Sequence, residues 1–360
     1  MIADGKAFVR LAQLRGRIAA LARGGRYDVT IDLLGELVRA DLALGLPADG
    51  LLRARQAAEL AEARGESAAG PLVVLAATLL SAEAIEEALD ACATAIERAT
   101  ATERPRIEAM ARLVGGAAQR RAGRLAEARV LLDAARGAAA RLGEAAIAGL
   151  ALAELGWIDL AEGRPAAAAT CFEFAAEFLR RAKHVAAPEA DTLAVASWAA
   201  AGDVEIATER GPRAADAARA AHRLDLVAFL DGVLADLALR QAPEAAQQAC
   251  ALAAESAQAL GASPLARELA AQARLRQVRT TGDAVDRARH LEAGIELALA
   301  LEGSRAGARL GSFLITLVED AERGAHAPAR TELERLAGAI TSLGDTELAD
   351  MARAVLAELG

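Results

Sequence analysis

Aromatic side chains make up only 2% of the 360 residues, with two tryptophans and one tyrosine. There are nine prolines, three cysteines, four histidines and just two lysines, Lys6 and Lys183. Each shortage excludes something. So few aromatics suit a β-sandwich or barrel badly, because strands draw on aromatic and β-branched residues. So few prolines rule out a proline-rich linker chain. The histidines and cysteines form no HExxH or CxxC spacing, so no metal ion is expected. No GxxxxGK[ST] loop occurs, no GxGxxG follows a strand pattern, and no cofactor is expected. The longest apolar run, residues 67–82, is interrupted by Gly70-Pro71 and falls short of the roughly 20 residues that cross a membrane. A net charge of −9 argues against a general phosphate-binding surface, hence against nucleic acid as partner. The N-terminus MIADGKAFVRLAQLR has an early Asp4 and no apolar core of a signal peptide, which makes the cytoplasm the expected compartment. Nearly all positive charge is arginine, the mark of a GC-rich genome.

What remains is helix-forming material. Hydrophobic residues reach 54%, much of it alanine, and small apolar side chains suit many closely packed helices. The clearest stretch is LAELGWIDLAEGRPAAAATCFEFA, Leu152 to Ala175. Leu152, Leu155, Ile158 and Leu160 recur at helical spacing. Gly163 interrupts them, and Pro165 stands where the first turn of a second helix tolerates proline. Ala168, Phe172, Ala175 and Phe178 then form a second apolar face. Gly156 and Ala168 let the two helices approach, and Phe172 fills the space beside them. One such hairpin buries too little surface to stand alone.

Leu155-Gly156, Gly163, Ala168, Phe172 and Ala175 resemble the tetratricopeptide (TPR) pattern of leucine-glycine, turn glycine, alanine, aromatic and alanine. Asp159 departs from it by standing where the family has tyrosine. The repeat is longer than the roughly 34-residue TPR unit and is similar to the larger repeats of bacterial MalT-type regulatory arrays. The resemblance implies an all-α, right-handed α-solenoid acting as a non-catalytic protein-binding scaffold.

Fainter copies recur along the chain. Turn glycines at 123, 163, 202 and 282 keep a period near 40, with Gln241 close to the missing midpoint. The pairs read as 72–80 with 85–99, 107–121 with 125–142, the reference hairpin to about 183, 192–201 with 204–210, 224–240 with a helix starting at Pro243, 264–279 with 284–301, and 311–322 with 329–343. Before them, helices are expected over 6–23, 28–44 and 51–64, with a loop at Pro47 and Gly50. Gly211-Pro212 should break or sharply bend the helix after Gly202, since proline removes a backbone hydrogen bond. The whole is therefore expected to be one array over residues 1–360: irregular helices to 65, about seven or eight hairpins over 66–344, and a capping helix over 345–360, started by Asp345 or Thr346.

Candidate chemistry is thin. Cys92, Cys171 and Cys250 stand two repeats apart and read as structural; Cys92 and Cys250 hold the buried aromatic position of their repeats, where cysteine acts as a small hydrophobe. His184 and His222 fall near the ends of second helices, where positive charge suits the helix dipole. His290 and His326 lie in other phases. Asp and Glu alternate with Arg in the manner of solvated faces, and no nucleophile, base and oxyanion donor assemble, so no enzyme is expected. In TPR arrays the first helices line a concave groove. Carried over, that places Arg120, Arg121, Arg124 and Trp157 on the groove, and Arg276 and Arg279 further along. Arginines beside an aromatic could clamp a protein or peptide such as an acidic tail. The competing account is that these arginines pair with glutamates on adjacent helices and Trp157 is packed. The functional alternative is a ligand-sensing module of MalT-type transcriptional or signalling systems.

Overall fold

In a computed structural model of the chain, the described residues are 47–63, 68–241, 246–261, 263–301, 304–322, 330–344 and 346–359, with Gln13, Ala20, Leu34 and Val38. Apart from those four residues, the helices expected over 6–23 and 28–44 lie outside them, as do the helix start at Pro243, His326 and Asp345. Among the described residues there are sixteen helices and no strand. The chain divides into two compact units, 1–190 and 191–360.

The first unit holds α1 (Pro47–Ala63), α2 (Ala69–Ser81), α3 (Ile85–Ala101), α4 (Pro105–Arg121), α5 (Leu125–Leu142), α6 (Ala145–Ala161) and α7 (Pro165–Arg181). α8 (Ala187–Ala201) carries the boundary within it. The second unit continues with α9 (Val204–Ala220), α10 (Leu224–Gln241), α11 (Ala246–Gln258), α12 (Pro264–Thr280), α13 (Ala284–Leu299), α14 (Ser304–Glu322), α15 (Arg330–Ser342) and α16 (Thr346–Leu359). Pro105, Pro165 and Pro264 open α4, α7 and α12, where the missing N–H has no helical partner to lose. Ser263 Oγ accepts from the N–H of Ala266, and Asp283 caps α13 through the N–H groups of Val285 and Asp286.

One turn repeats along most of the chain. A residue of positive φ stands at 83, 103, 123, 143, 163, 183, 202 and 222. The N–H of the next residue reaches back to a carbonyl of the preceding helix, as in Arg124 to Gln119, Arg164 to Asp159 and Arg223 to Ala218. This bond closes the helix end by satisfying one of its orphan carbonyls. The period of 40 is thus two steps of about 20, each one helix and one turn. Within the first unit α2, α4 and α6 pack side by side as one layer, while α3 and α5 are inserted between successive members and α7 packs on α6.

Small residues set the close contacts. A Cβ on Gly116 would lie 2.5 Å from Leu132 Cγ, and one on Gly156 would lie 2.9 Å from Phe172. The same contact thus recurs one repeat apart. In the second unit α13, α14 and α15 enclose Leu291, Ile295, Leu310, Phe313, Leu314, Leu333 and Leu336, and α16 covers this cluster with Ala349 and Ala352.

Two local expectations are corrected. Pro47 and Gly50 belong to α1, not to a loop; proline is accepted because it lies at the helix start. Gly211-Pro212 does not break its helix, since α9 runs unbroken over Val204–Ala220. Gly211 is buried against Leu234, whereas Pro212 and Thr208, one turn before it, are exposed. The carbonyl left without a donor therefore faces water, which satisfies it.

Candidate functional site

The candidate arginines end α4 and its turn, and each has a partner. Arg120 Nε donates to Glu154 Oε2 on α6 at 2.6 Å. Arg121 Nη1 donates to the Leu80 carbonyl at the end of α2, 2.8 Å away. Arg124 pairs with Glu86 at the start of α3 and contacts Gln119. These three side chains therefore tie neighbouring hairpins together. Arg276 and Arg279 belong to the second unit. Arg276, 9% exposed, makes a bidentate pair with Asp236, both bonds 2.7 Å, and Arg279 pairs with Glu319 at 2.8 Å.

Trp157 sits on α6 one turn beyond Glu154, the partner of Arg120. Its ring meets Phe172 edge to face, with centroids 5.7 Å apart and planes at 81°. It nevertheless keeps 37% of its surface exposed. The first-helix layer thus presents an aromatic ring held from behind, with an arginine–glutamate pair beside it. An aromatic fixed in this way can bind without losing much rotamer freedom.

A dense charge cluster lies two residues past Trp157. Asp159 is 4% exposed and accepts from Arg129 Nη2 at 2.7 Å and Arg164 Nη2 at 2.6 Å. Glu162 receives Arg129 at 2.7 Å and also pairs with Arg164. Burial works to raise the Asp159 pKa, but the hydrogen bonds from Arg129 and Arg164 outweigh it and hold the carboxyl below its ordinary value. Cys171 Sγ lies 3.5 Å from Asp159 Oδ2. Burial, reinforced by the Asp159 charge, pushes this thiol up to about 11. Burial raises Cys92 to about 12 and Cys250 to about 11. The thiols are therefore protonated at neutral pH and poor nucleophiles.

Sequence reasoning passed over this network. Its signal was Asp159 itself, an acidic residue where the repeat pattern wants a buried aromatic. Arg164 in the adjoining turn was visible as a partner. Arg129, a full hairpin earlier, was not, because only the packing of α5 on α6 brings it there.

No family model and no curated protein matches the sequence. Among solved structures, the chain is similar to a Rap protein complexed with competence and sporulation factor, at 16% identity and a TM-score of 0.51. The match covers 81% of this chain and 89% of that one. It is also matched to the apo form of the quorum sensor NprR from B. thuringiensis at 11% identity and TM-score 0.47, over 97% of this chain and 82% of that one. The chain has a TPR-like helical-repeat fold. In this TPR-like chain, no group of three or more His, Cys, Asp or Glu among the described residues is placed to hold a metal ion. No described helix is long and apolar enough to cross a membrane.

Proposed function

We propose that this chain is a non-catalytic protein-interaction scaffold whose first-helix layer takes a partner segment at Trp157. The observation carrying this is the exposure of Trp157, more than a third of its surface, in a chain with only two tryptophans. Tryptophan and arginine are the residue types that most often dominate binding energy. Arg120 lies within reach through Glu154, Arg121 follows it at the end of the same helix, and Arg124 stands in the turn after it. A partner carboxylate would compete with Glu154 for Arg120, and apolar contact with Trp157 would contribute the larger share, since a paired arginine offers little net potential. The fold likeness adds support in kind, because the Rap protein it resembles was solved with a bound factor.

The test is affinity capture from cells that make the protein, quantified by mass spectrometry for wild type, Trp157→Ala, Arg120→Ala and the control Val130→Ala. Val130 is 70% exposed on the second helix α5. Proteins captured by wild type and Val130→Ala but lost with folded Trp157→Ala are the expected result. Capture unchanged by Trp157→Ala and Arg120→Ala overturns the reading.

A further inference from the structure

The second unit contains a half-open pocket of about 570 Å³ lined by α11, α12 and α13. Its walls are mostly small and apolar, with Ala257, Ala270 and Leu297 representative, and Arg267, Arg274 and the exposed Glu296 are its charged members. That volume falls within the range of roughly 300–1,000 Å³ of small-molecule sites.

The two arginines differ from others of this unit in their partners. Arg276, Arg279 and Arg309 pair with Asp236, Glu319 and Glu268. Arg267 instead donates to the Ala300 carbonyl at 3.1 Å. Arg274 Nη1 donates to Gln277 Oε1 at 2.9 Å and lies 3.0 Å from His290 Nδ1. Burial, then the Arg274 charge, depresses the His290 pKa below its ordinary value, so the imidazole is neutral at neutral pH and its Nδ1 accepts. Two half-buried guanidinium groups thus face one apolar cavity with neutral partners among the described residues.

We infer that this pocket binds a small amphipathic monocarboxylate, its carboxylate held by Arg274 and its apolar body lying on the alanine walls between α11 and α13. A guanidinium presents donors in a fork that matches a carboxylate. The cavity is far larger than a carboxylate needs, and its lining beyond the arginines offers an apolar tail more than it offers a second polar group. Glu296 at the exposed side, in a molecule of net charge −9, disfavours a dianion such as a phosphate monoester. The site lies in the second unit and does not depend on Trp157.

The test is titration calorimetry on the whole chain with octanoate as probe, set against acetate, octanol and octyl phosphate. Octanoate should bind and raise the melting temperature, while acetate, lacking the tail, and octanol, lacking the charge, should bind far more weakly. Arg274→Gln should weaken octanoate roughly tenfold or more by removing a charge-assisted contact, and Glu296→Gln should tighten it by removing a like charge. Ala270→Phe, if its circular dichroism is that of wild type, should abolish binding by filling the cavity. No heat and no melting shift with octanoate overturns the proposal, as does binding undiminished in Arg274→Gln. Equal binding of octanol overturns the role of Arg274, and tighter binding of octyl phosphate overturns the assignment of a monoanion.

Discussion

Gly156 sits where an added Cβ would lie 2.9 Å from both Cε1 and Cζ of Phe172, and Phe172 is fully buried. Neither ring nor helix can yield without opening the hairpin. Gly156→Leu should therefore lower stability by about 1–3 kcal/mol, read by urea unfolding. Adding Phe172→Ala to it should cost less than the sum of the two single changes, because the second substitution clears the space that the first needs. Full additivity would show that the two positions do not share the contact. Asp159 is the other residue with a large expected effect. Asp159→Asn keeps the shape but removes the charge that Arg129 and Arg164 contact, at an expected loss of about 1–2 kcal/mol at neutral pH. The pH dependence follows from the direction of the shift. The folded-state pKa of Asp159 is depressed, so its contribution is fully present above the unfolded carboxylate pKa of about 3.9 and is lost as pH falls through the lower folded value. The stability difference between wild type and Asp159→Asn should shrink on acidification from pH 5 towards pH 2. A constant difference across that range would mean that the ion pairs contribute nothing.

At the scale of the element, the recurring turn matters more than any one helix. The same left-handed position is filled by Gly123, Gly143, Gly163 and Gly202, but by Glu83, Glu103, Lys183 and His222 elsewhere. A residue with a side chain is strained there by roughly 1 kcal/mol, which glycine escapes. Glu103→Gly should accordingly stabilise the protein by about 0.5 kcal/mol at most after allowing for the greater freedom of the unfolded chain. Gly163→Ala should destabilise it by about 0.5 kcal/mol on the same reckoning, although no atom lies within 4 Å of the added Cβ. Thermal melts of the two variants should move in opposite directions. Movement in the same direction would mean that these turns do not share one backbone geometry. His184 and His222 also change meaning at this scale. His222 occupies the left-handed position, while His184 Nδ1 accepts from the N–H of Ala186 at 3.2 Å. Both serve the turn itself.

For the whole molecule, arginine is the residue that joins repeat to repeat. Arg98 to Glu62, Arg120 to Glu154, Arg129 to Asp159, Arg276 to Asp236 and Arg309 to Glu268 all link different helices. Most of these pairs are partly exposed, so each contributes at most about 1 kcal/mol and is screened by salt. The Debye length falls from about 10 Å at 0.1 M to about 3 Å at 1 M. The melting deficit of Arg98→Ala should therefore be small and should vanish in 1 M sodium chloride, whereas that of Asp159→Asn should persist. A deficit for Arg98→Ala that survives high salt would mean that its aliphatic stem, not its charge, joins α3 to α1.

Helix content, the period near 40 and the hairpin contact of Gly156 with Phe172 were all readable from residue spacing. They depend on local periodicity and on small residues recurring within one hairpin, and both are written along the chain. The continuity of α9 through Gly211-Pro212 was not readable, because it rests on which side of the helix faces water. Nor were the partners of Arg120, Arg121 and Arg124, although the types of partner were foreseeable from the abundance of Asp and Glu. The buried Asp159 network and the cavity with Arg267 and Arg274 needed the tertiary structure. Each joins side chains of different helices, and no spacing along one helix specifies which guanidinium ends beside which carboxylate. The sequence by itself determined a TPR-like repeat of helices; packing between the helices decided which of its charges are spent on holding that repeat together.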